Sequence, residues 1–562
     1  MTFLRAQGAE LVDGDGRPVL LRGTGLGNWL LPEGYMWKFG PPGPQSPRGI
    51  EALIADLVGP ARAAEFWRGF RDTFITGSDI ARIAAEGMNH VRLPMNARLL
   101  FSDGFGLVDR TISWCRSHGL WVVLDLHGAP GGQTGTNIDD SLGTPALFEN
   151  PRYREQTIEL WQSLAGRYRD EPAVAGYDLL NEPLPDDYQY MYAAELAALY
   201  RDLTAAIREI DENHLIIYEG SHWATNWSMF TEVWEPNSML QFHRYWSPPD
   251  RPGIRTFLDT RDRLGLPIYM GEGGENNTDW LQTAFQLYED CGISWNFWPW
   301  KKLRTRTSPC SVVPPDGWDD IVSYAAGKGP RPATDTAWRT LQSLLDRFGI
   351  ARCEWREDVM SAVARRVPRS SSLRLPASGF GFRGPGVSYR TFAAKPLPGF
   401  RPDDQVTILA SSDSPAFDHT DGSPRDPADQ LLVELGRDEW VAYEFTVTEP
   451  AGLTVTAGLA GAARLMGADG LAVQPSLPSV AVDDTAVPLS AAGTGTAAVS
   501  ASGRHVLRVT GTAPATQLAW LELTASLGRN GYLHICGAPE QAARYTGHPC
   551  WGDRHSQGQF RD

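Results

Sequence analysis

Short apolar, β-rich runs alternate with longer amphipathic stretches through residues 1–350, and this alternation limits the choice of fold more than any other feature. The runs predicted as strands are Val19–Leu21, Asn89–Leu93, Trp121–Leu126, Val174–Leu180, Leu215–Glu219, Met239–Phe242, Pro267–Gly271 and Ile293–Trp298. The stretches predicted as helices include Ser78–Glu86, Val108–Ser117, Tyr153–Tyr168, Met191–Ile210, Gly253–Leu264, Trp280–Asp290 and a closing Asp335–Phe348. Eight such repeats predict a (β/α)8 TIM barrel over residues 1–350.

A doubly wound sheet is the competing α/β fold. It would require phosphate-binding glycines in a strand-to-helix turn. Gly23, Gly25 and Gly27 have G-x-G-x-G spacing, but no helix start follows them. The barrel is therefore the preferred interpretation.

The sequence changes character after the barrel. Residues 351–404 are rich in Ser, Pro, Gly and Arg without clear periodicity, and this predicts a linker or an irregular wrap. Residues 405–526 show period-2 strands separated by turns, which predicts a C-terminal β-sandwich domain. The predicted strands are Trp440–Val447, Gly452–Gly458, Ser479–Val482, Gly503–Thr510 and Leu518–Leu523. Residues 527–562 form a C-terminal tail that no pattern assigns.

Composition excludes several classes of protein. The chain has 562 residues, 42% of them apolar, which is enough to build a core and excludes global disorder. A formal charge of −16 argues against nucleic acid and anionic membranes as partners. No apolar run approaches the length of a membrane span. Met1–Val12 does not resemble a leader, so we expect a cytoplasmic protein, or a secreted one if a leader has been removed.

The six cysteines are widely spaced and form no C-x-x-C pair. This argues against a zinc ribbon or a thioredoxin-like site, and no calcium-ligand motif is present. We therefore expect no metal and no cofactor. Cys536 and Cys550 either close a short loop or stay reduced, and both states are open, as is the oligomeric state.

Two carboxylates occupy the positions where barrel enzymes carry their chemistry. Glu182 follows the fourth predicted strand in Asn-Glu-Pro, and Glu272 ends the seventh in Tyr-Met-Gly-Glu-Gly. Active groups of TIM barrels stand at the carboxyl ends of the strands, so we expect these two side chains to face each other. Facing carboxylates are the minimum equipment for cleaving a glycosidic bond.

Further residues at the strand ends complete a pattern that resembles glycoside hydrolase family 5, a retaining (β/α)8 family of clan A. The similarity covers roughly residues 15–345. The eight positions that match the family's active site are Arg92, His127, Asn181, Glu182, His243, Tyr245, Glu272 and Trp298.

The resemblance implies a role for each of these residues. Glu272 would be the nucleophile, kept ionised by Arg92 and the hydroxyl of Tyr245. Glu182 would be the general acid and then the general base, with a higher pKa than that of Glu272 because the two carboxylates repel each other. His243 would hydrogen-bond the acid.

Three residues would contact the sugar. Asn181 would bind the 2-hydroxyl, and His127 would bind hydroxyls near C3. Trp298 would form the floor under the sugar ring in subsite −1.

Within the family, the stretches Arg22–Gly34, His127–Gln133 and Phe297–Lys301 are similar to the exo-β-1,3-glucanase-type branch. That similarity implies that Glu33 clamps hydroxyls of the terminal sugar. The chain departs from the branch at Asn28 and Pro299. Exo action on β-glucosides or β-gluco-oligosaccharides is therefore the expectation. A β-mannosidase, a glycolipid-acting glycosidase or a transglycosidase would share the same core.

The predicted sandwich resembles carbohydrate-binding modules of the family 6 and 35 type over about residues 405–525. Trp440 and Trp520 lie on strand patterns, so we expect core packing for both rather than ligand stacking. A sandwich that only supports the barrel is an open alternative.

The sequence as a whole predicts an enzyme, a retaining β-glycoside hydrolase acting by double displacement on a β-linked carbohydrate. The rival from another class is an inert carbohydrate-binding protein on the same barrel. The presence of both Glu182 and Glu272 argues against that rival.

Overall fold

The computed structural model describes residues 1–459 and 476–526. Eight parallel strands close into a barrel in chain order, as the repeats predict. These barrel strands are β1 (Arg22–Gly25), β2 (His90–Asn96), β3 (Trp121–Gly128), β4 (Val174–Asp178), β5 (Leu215–Glu219), β6 (Ser238–His243), β7 (Ile268–Gly274) and β8 (Ser294–Trp298). The predicted tail 527–562, with Cys536 and Cys550, lies outside the described residues.

The prediction for the first barrel strand is wrong. Val19 belongs instead to a small antiparallel sheet formed by Arg5–Gln7, Glu10–Val12 and Pro18–Val19. Barrel strand β1 begins three residues later and contains the glycines that obscured its pattern. A Cβ on Gly23 would lie 2.2 Å from the carbonyl oxygen of His90, so close strand packing requires glycine there.

Helices surround the barrel and follow most of its strands. Two helices after β1, Pro47–Val58 and Pro60–Thr73, were not among the predicted ones. The others are Gly77–Ala85, Ala97–Leu99, Phe105–Ser117, Ala146–Glu149, Pro151–Tyr168, Tyr188–Met191, Ala193–Arg208, Arg255–Leu264, Thr278–Asp290, Trp318–Ala325 and Thr334–Arg347. One buried apolar cluster fills the space between these helices and the barrel strands.

The C-terminal region forms two antiparallel sheets. One contains Ser372–Pro376, Thr407–Ala410, Leu431–Leu435, Ala451–Leu459, Thr494–Val499 and Thr516–Ser526; the other contains Tyr389–Arg390, Trp440–Val447, Ser479–Val482, Thr485–Val487 and Gly503–Thr510. Side chains from both sheets pack into one core that includes Val433, Tyr443 and Leu521. The predicted β-sandwich is therefore present.

The segment 351–404 is more regular than its composition indicates. It contains the helix Glu357–Ala364 and supplies one strand to each sheet of the sandwich. Arg401 is buried between the rings of Phe380 and Phe382, and its guanidinium donates hydrogen bonds to three backbone carbonyls. Buried arginine contacts of this kind leave no periodic pattern in a sequence.

The two tryptophans of the sandwich differ in their surroundings. Trp440 is 9% exposed, as expected for a packed residue. Trp520 is half-buried outside the main core of the sandwich, where it packs against a small apolar cluster formed by Leu432 and Ala519. In residues 1–459 and 476–526, no helix is both long and apolar enough to cross a membrane.

Candidate active site

The carboxyl ends of the barrel strands surround a cleft of about 500 Å³. Glu182 and Glu272 both line it. One carboxylate oxygen of Glu182 and one of Glu272 lie within 4.8 Å of each other. Retaining glycosidases place the two carboxyl groups about 5–5.5 Å apart, whereas inverting enzymes need about 6.5–9.5 Å to admit a water molecule. The observed separation fits retention.

Glu272 is held from two sides. The guanidinium of Arg92 donates to its Oε1 at 2.5 Å, and the hydroxyl of Tyr245 donates to its Oε2 at 2.7 Å. These two contacts fix the carboxylate at the end of β7, with 5% of the side chain exposed. Both partners were predicted from the sequence.

Arg92 is fully buried and organises the floor of the site. Besides Glu272, its guanidinium donates to Asp178 at 2.8 Å, Asn181 at 2.9 Å and Glu219 at 3.0 Å. A buried cation needs such neutralising partners. The four acceptors come from the ends of strands β4, β5 and β7, so one side chain sets their relative positions.

The general-acid candidate is positioned by its side chain and by its backbone. His243 Nδ1 lies 2.7 Å from Glu182 Oε1, and the backbone amide of Glu182 donates to Glu219 Oε2 at 2.7 Å. Glu182 has a backbone φ of 43°, in the left-handed region that non-glycine residues rarely adopt. The hydrogen bond to Glu219 supports this conformation.

The three sugar-contacting candidates contact one another. The rings of His127 and Trp298 are stacked with centroids 5.6 Å apart and an interplanar angle of 10°. His127 is hydrogen-bonded to Asp125 through Nδ1 at 2.7 Å and to Asn181 through Nε2 at 3.3 Å. The indole of Trp298 donates to the hydroxyl of Tyr35 at 3.2 Å.

Glu33 also lines the cleft and is 6% exposed. Asn28, one of the two positions where the chain departs from the exo-β-1,3-glucanase-type branch, positions Glu33. Asn28 adopts a left-handed φ of 66°, and its Oδ1 accepts hydrogen bonds from the backbone amide of Glu33 at 3.1 Å and from the indole of Trp37 at 2.7 Å. The structure thus places seven of the nine predicted site residues in the lining of one cleft, and the other two, Arg92 and Asn181, are fully buried beneath it.

The protonation states follow from burial and from the dense cluster of charges. Burial raises the pKa of Glu272 above its usual value, and His243 and Arg92 oppose this without cancelling it. Burial acts to lower the pKa of His243, but Glu219 and Glu272 outweigh it and raise that pKa well above its usual value. Burial raises the pKa of Asp125 to about 8 despite the charge of Arg92.

The site contains one group of possible metal ligands, formed by Glu182, His243 and Glu272. The guanidinium of Arg92 contacts Glu272 directly, so a metal ion would have to compete with a fixed cation. The donor set therefore fits an acid–base pair better than a metal centre. The expected absence of a metal stays a prediction.

Sequence reasoning missed three acidic residues beneath the site: Asp125, Asp178 and Glu219 are fully buried and contact Arg92. A signal for them exists in the sequence. Each is an ionisable residue at or near the end of an apolar barrel strand, and such residues are rarely buried without a charged partner.

Comparisons with known proteins agree with this geometry. Residues 60–303 match the family model described as Cellulase (glycosyl hydrolase family 5). A beta-xylosidase of Phanerodontia chrysosporium is 32% identical over 350 residues, covering 54% of this chain and 71% of the relative. A probable glucan 1,3-beta-glucosidase A of Aspergillus fumigatus is 30% identical, covering 56% of this chain and 88% of the relative.

Among solved structures, an endogalactoceramidase covers 94% of this chain and 100% of its own, with a TM-score of 0.45 and 15% identity. Similarity at that level carries no information on substrate.

A (β/α)8 barrel with two carboxylates at this separation defines a retaining glycosidase. The chain belongs to glycosyl hydrolase family 5, and it is a retaining β-glycoside hydrolase with a carbohydrate substrate.

Proposed function

We propose that the protein is an exo-acting β-glucosidase that removes terminal glucose units from β-linked gluco-oligosaccharides. The name of one relative, a probable glucan 1,3-beta-glucosidase, supports this choice of sugar. The name of another, a beta-xylosidase, makes aryl β-xylosides the first alternative substrates to compare.

In the proposed mechanism, Glu272 attacks the anomeric carbon while Glu182 protonates the departing glycosidic oxygen. A covalent bond forms between Glu272 and the sugar as the glycosidic bond breaks. Glu182, now ionised, takes a proton from water, and the water oxygen displaces Glu272. The sugar leaves with its β configuration retained, and Glu182 has recovered its proton.

The supporting residues have roles that their contacts make reasonable. Arg92 and Tyr245 orient the nucleophile, and His243 orients the acid. Asn181 and His127 would bind sugar hydroxyls, with Trp298 under the ring.

The observation that carries exo action is a wall beside Glu33. Lys302 forms an ion pair with Glu275, and its ammonium lies 5.4 Å from the ring centroid of Tyr35. Lys302 and Glu275 have side chains only 7% and 12% exposed. In our proposal, this buried ion pair and Tyr35 close the cleft beyond the terminal sugar.

The test is product analysis with laminari-oligosaccharides and with aryl β-glucosides, β-xylosides and β-mannosides. We expect glucose alone as the first product, released as the β anomer in proton NMR. Early release of longer oligosaccharides would contradict exo action. Initial release of the α anomer would contradict retention.

A further inference from the structure

A second cleft, about 480 Å³ in volume, lies between the barrel and the sandwich. Binding sites for small molecules fall in the range of about 300–1,000 Å³ and often lie between domains. Its walls come from the start of the barrel helix Thr278–Asp290, from the sandwich sheet that contains Thr516–Ser526, and from residues of the loop before Leu431–Leu435. The cleft shares no lining residue with the active site.

A flat aromatic surface lines this cleft. Trp520 is half-buried on the sandwich side, directly opposite Gly458 on the neighbouring strand. A Cβ on Gly458 would lie 2.1 Å from the indole ring, so the ring rests on the glycine backbone. Only glycine allows this contact. One indole face is therefore fixed against the sheet, and the ring lines the cleft.

Two charged side chains flank this part of the cleft, and one of them, Arg374, lies over the indole. Arg374 has its guanidinium 4.9 Å from the ring centroid, and 44% of its side chain is exposed. Its Nε lies 3.9 Å from Asp279 Oδ1, a distance too long for a hydrogen bond. Among the described residues, no hydrogen bond reaches the carboxylate of Asp279. The guanidinium of Arg374 and the carboxylate of Asp279 therefore line the cleft and can form further hydrogen bonds to a ligand.

The charges of the cleft indicate a neutral ligand. Arg374 is balanced by Asp279, and Arg425 donates to Asp429 at 3.3 Å. An anion such as phosphate would meet the Asp279 carboxylate. A ligand with several hydroxyl groups can instead accept hydrogen bonds from Arg374 and donate hydrogen bonds to Asp279. Asn277 adds another polar group: it is 3% exposed, and its Nδ2 has no acceptor within residues 1–459 and 476–526.

We propose that this cleft binds a sugar unit of a neutral carbohydrate chain, which takes the place of the exposed Arg374 guanidinium over Trp520 while neighbouring hydroxyls bind Asp279 and Arg374. The site would hold a polymer on the protein through contacts that are separate from catalysis. This second binding site does not depend on the roles proposed above for the residues of the active site.

The test uses the full chain with Glu272→Gln, which prevents hydrolysis of the probe. Binding of laminarihexaose, cellohexaose and xylohexaose is measured by calorimetry. We expect two sites for at least one of these probes. Adding Trp520→Ala should weaken the second site about tenfold or more, which is the loss expected for one stacking contact.

Arg508→Ala is the matched control. Arg508 lies over Trp440 at 4.7 Å in the other sheet, which resembles the pairing of Arg374 with Trp520. This control should retain both sites. Asp279→Asn provides a second variant if Trp520→Ala lowers the melting temperature. A single site for every hexasaccharide, or a second site that survives both cleft variants, would overturn the proposal.

The same experiment separates this proposal from the proposed function. Trp520→Ala with Glu272 intact should hydrolyse aryl β-glucosides at the unmodified rate, because those substrates need only the active site. Loss of the second site with normal hydrolysis supports the cleft proposal. An inactive enzyme that keeps two sites would count against the proposed function alone.

Discussion

The backbone amide of Glu182 donates a 2.7 Å hydrogen bond to Oε2 of Glu219, at the end of the neighbouring barrel strand. The same carboxylate accepts from Arg92 at 3.0 Å through Oε1. His243 and Arg92 lower the pKa of Glu219 against the opposing effect of burial, so it is ionised at neutral pH. Glu219 thus links the residue that holds the nucleophile to the backbone of the acid.

Glu219→Gln should therefore impair positioning without removing a catalytic group. We expect kcat on aryl β-glucosides to fall by about 10–100-fold, because small displacements of reacting groups carry costs of that size. KM should change little, and the basic limb of the pH–rate profile should move, since His243 loses a charged neighbour. Equal changes in kcat and KM with an unchanged profile would show a purely structural role.

The two carboxylates of the site should respond differently to substitution. Glu272→Gln should abolish turnover and leave the fold intact, since an amide cannot form the glycosyl-enzyme. Glu182→Ala should slow substrates with poor leaving groups far more than activated aryl glycosides, because good leaving groups need little acid assistance. Equal losses on both substrate types would count against Glu182 as the acid.

The raised pKa of Glu272 has a consequence for activity at low pH. A nucleophile must be ionised, and burial raises this pKa above its usual value. Activity should therefore fall on the acid side at a pH higher than the ordinary glutamate value of about 4.3. The measurement is kcat/KM against pH for the free enzyme. An acid limb at or below that value would contradict the burial argument.

Glu33 provides a test of the sugar clamp. Burial, followed by repulsion from Glu272 and Glu275, raises the pKa of Glu33 well above its usual value. It should hold its proton at neutral pH, and glutamine resembles a protonated glutamate in shape and hydrogen bonding. We expect Glu33→Gln to keep KM within a few-fold, whereas Glu33→Ala should raise KM by about tenfold or more. Similar effects of both substitutions would exclude a protonated clamp.

The fold was largely predictable because the strands of the barrel are apolar and regularly spaced. Leu215–Glu219, for example, was predicted with its observed bounds. The sequence placed strand β1 three residues too early, because the glycines that close packing requires in this strand carry no hydrophobic pattern. Most of the nine site residues were found because they lie at or just after strand ends, whereas Glu33 follows β1 by eight residues and was found through the resemblance alone. Glu219 also ends a strand, but it was missed because its partners Arg92 and Glu182 reach it only in the folded barrel. The strands within segment 351–404 pair with distant residues, so no local pattern revealed them.

Glu289 connects the barrel to the C-terminal region. It accepts from Arg22 of β1 and from Arg365, both at 2.7 Å, and lies 3.4 Å from Arg504 of the sandwich. Burial acts to raise its pKa, but Arg365 and Arg22 outweigh it and lower the pKa to about 2. A lowered pKa in the folded state stabilises the protein above the unfolded-state value of about 4.3. That stability is lost as the pH falls toward about 2.

Glu289→Gln should remove this contribution, about 3 kcal/mol at neutral pH for a shift of this size. The measurement is urea unfolding between pH 7 and pH 3. The variant should be less stable at pH 7 and should lose less stability on acidification. Asp335→Asn is a suitable control, because its ion pair with Arg62 is exposed. A variant as stable as the unmodified protein at pH 7 would show that Glu289 does not join the two parts.

The last prediction concerns removal of everything after residue 350. In the barrel helix Thr278–Asp290, every residue from Trp280 to Tyr288 is buried, although an outer barrel helix normally exposes one face. Glu357–Ala364 supplies part of the cover: its residues Val359, Met360 and Val363 belong to the same apolar cluster as the barrel. Truncation would expose this apolar face, so we expect low solubility and a lower melting temperature. A truncated barrel that stays soluble and fully active, with an unchanged melting temperature, would show that the sandwich is an independent module.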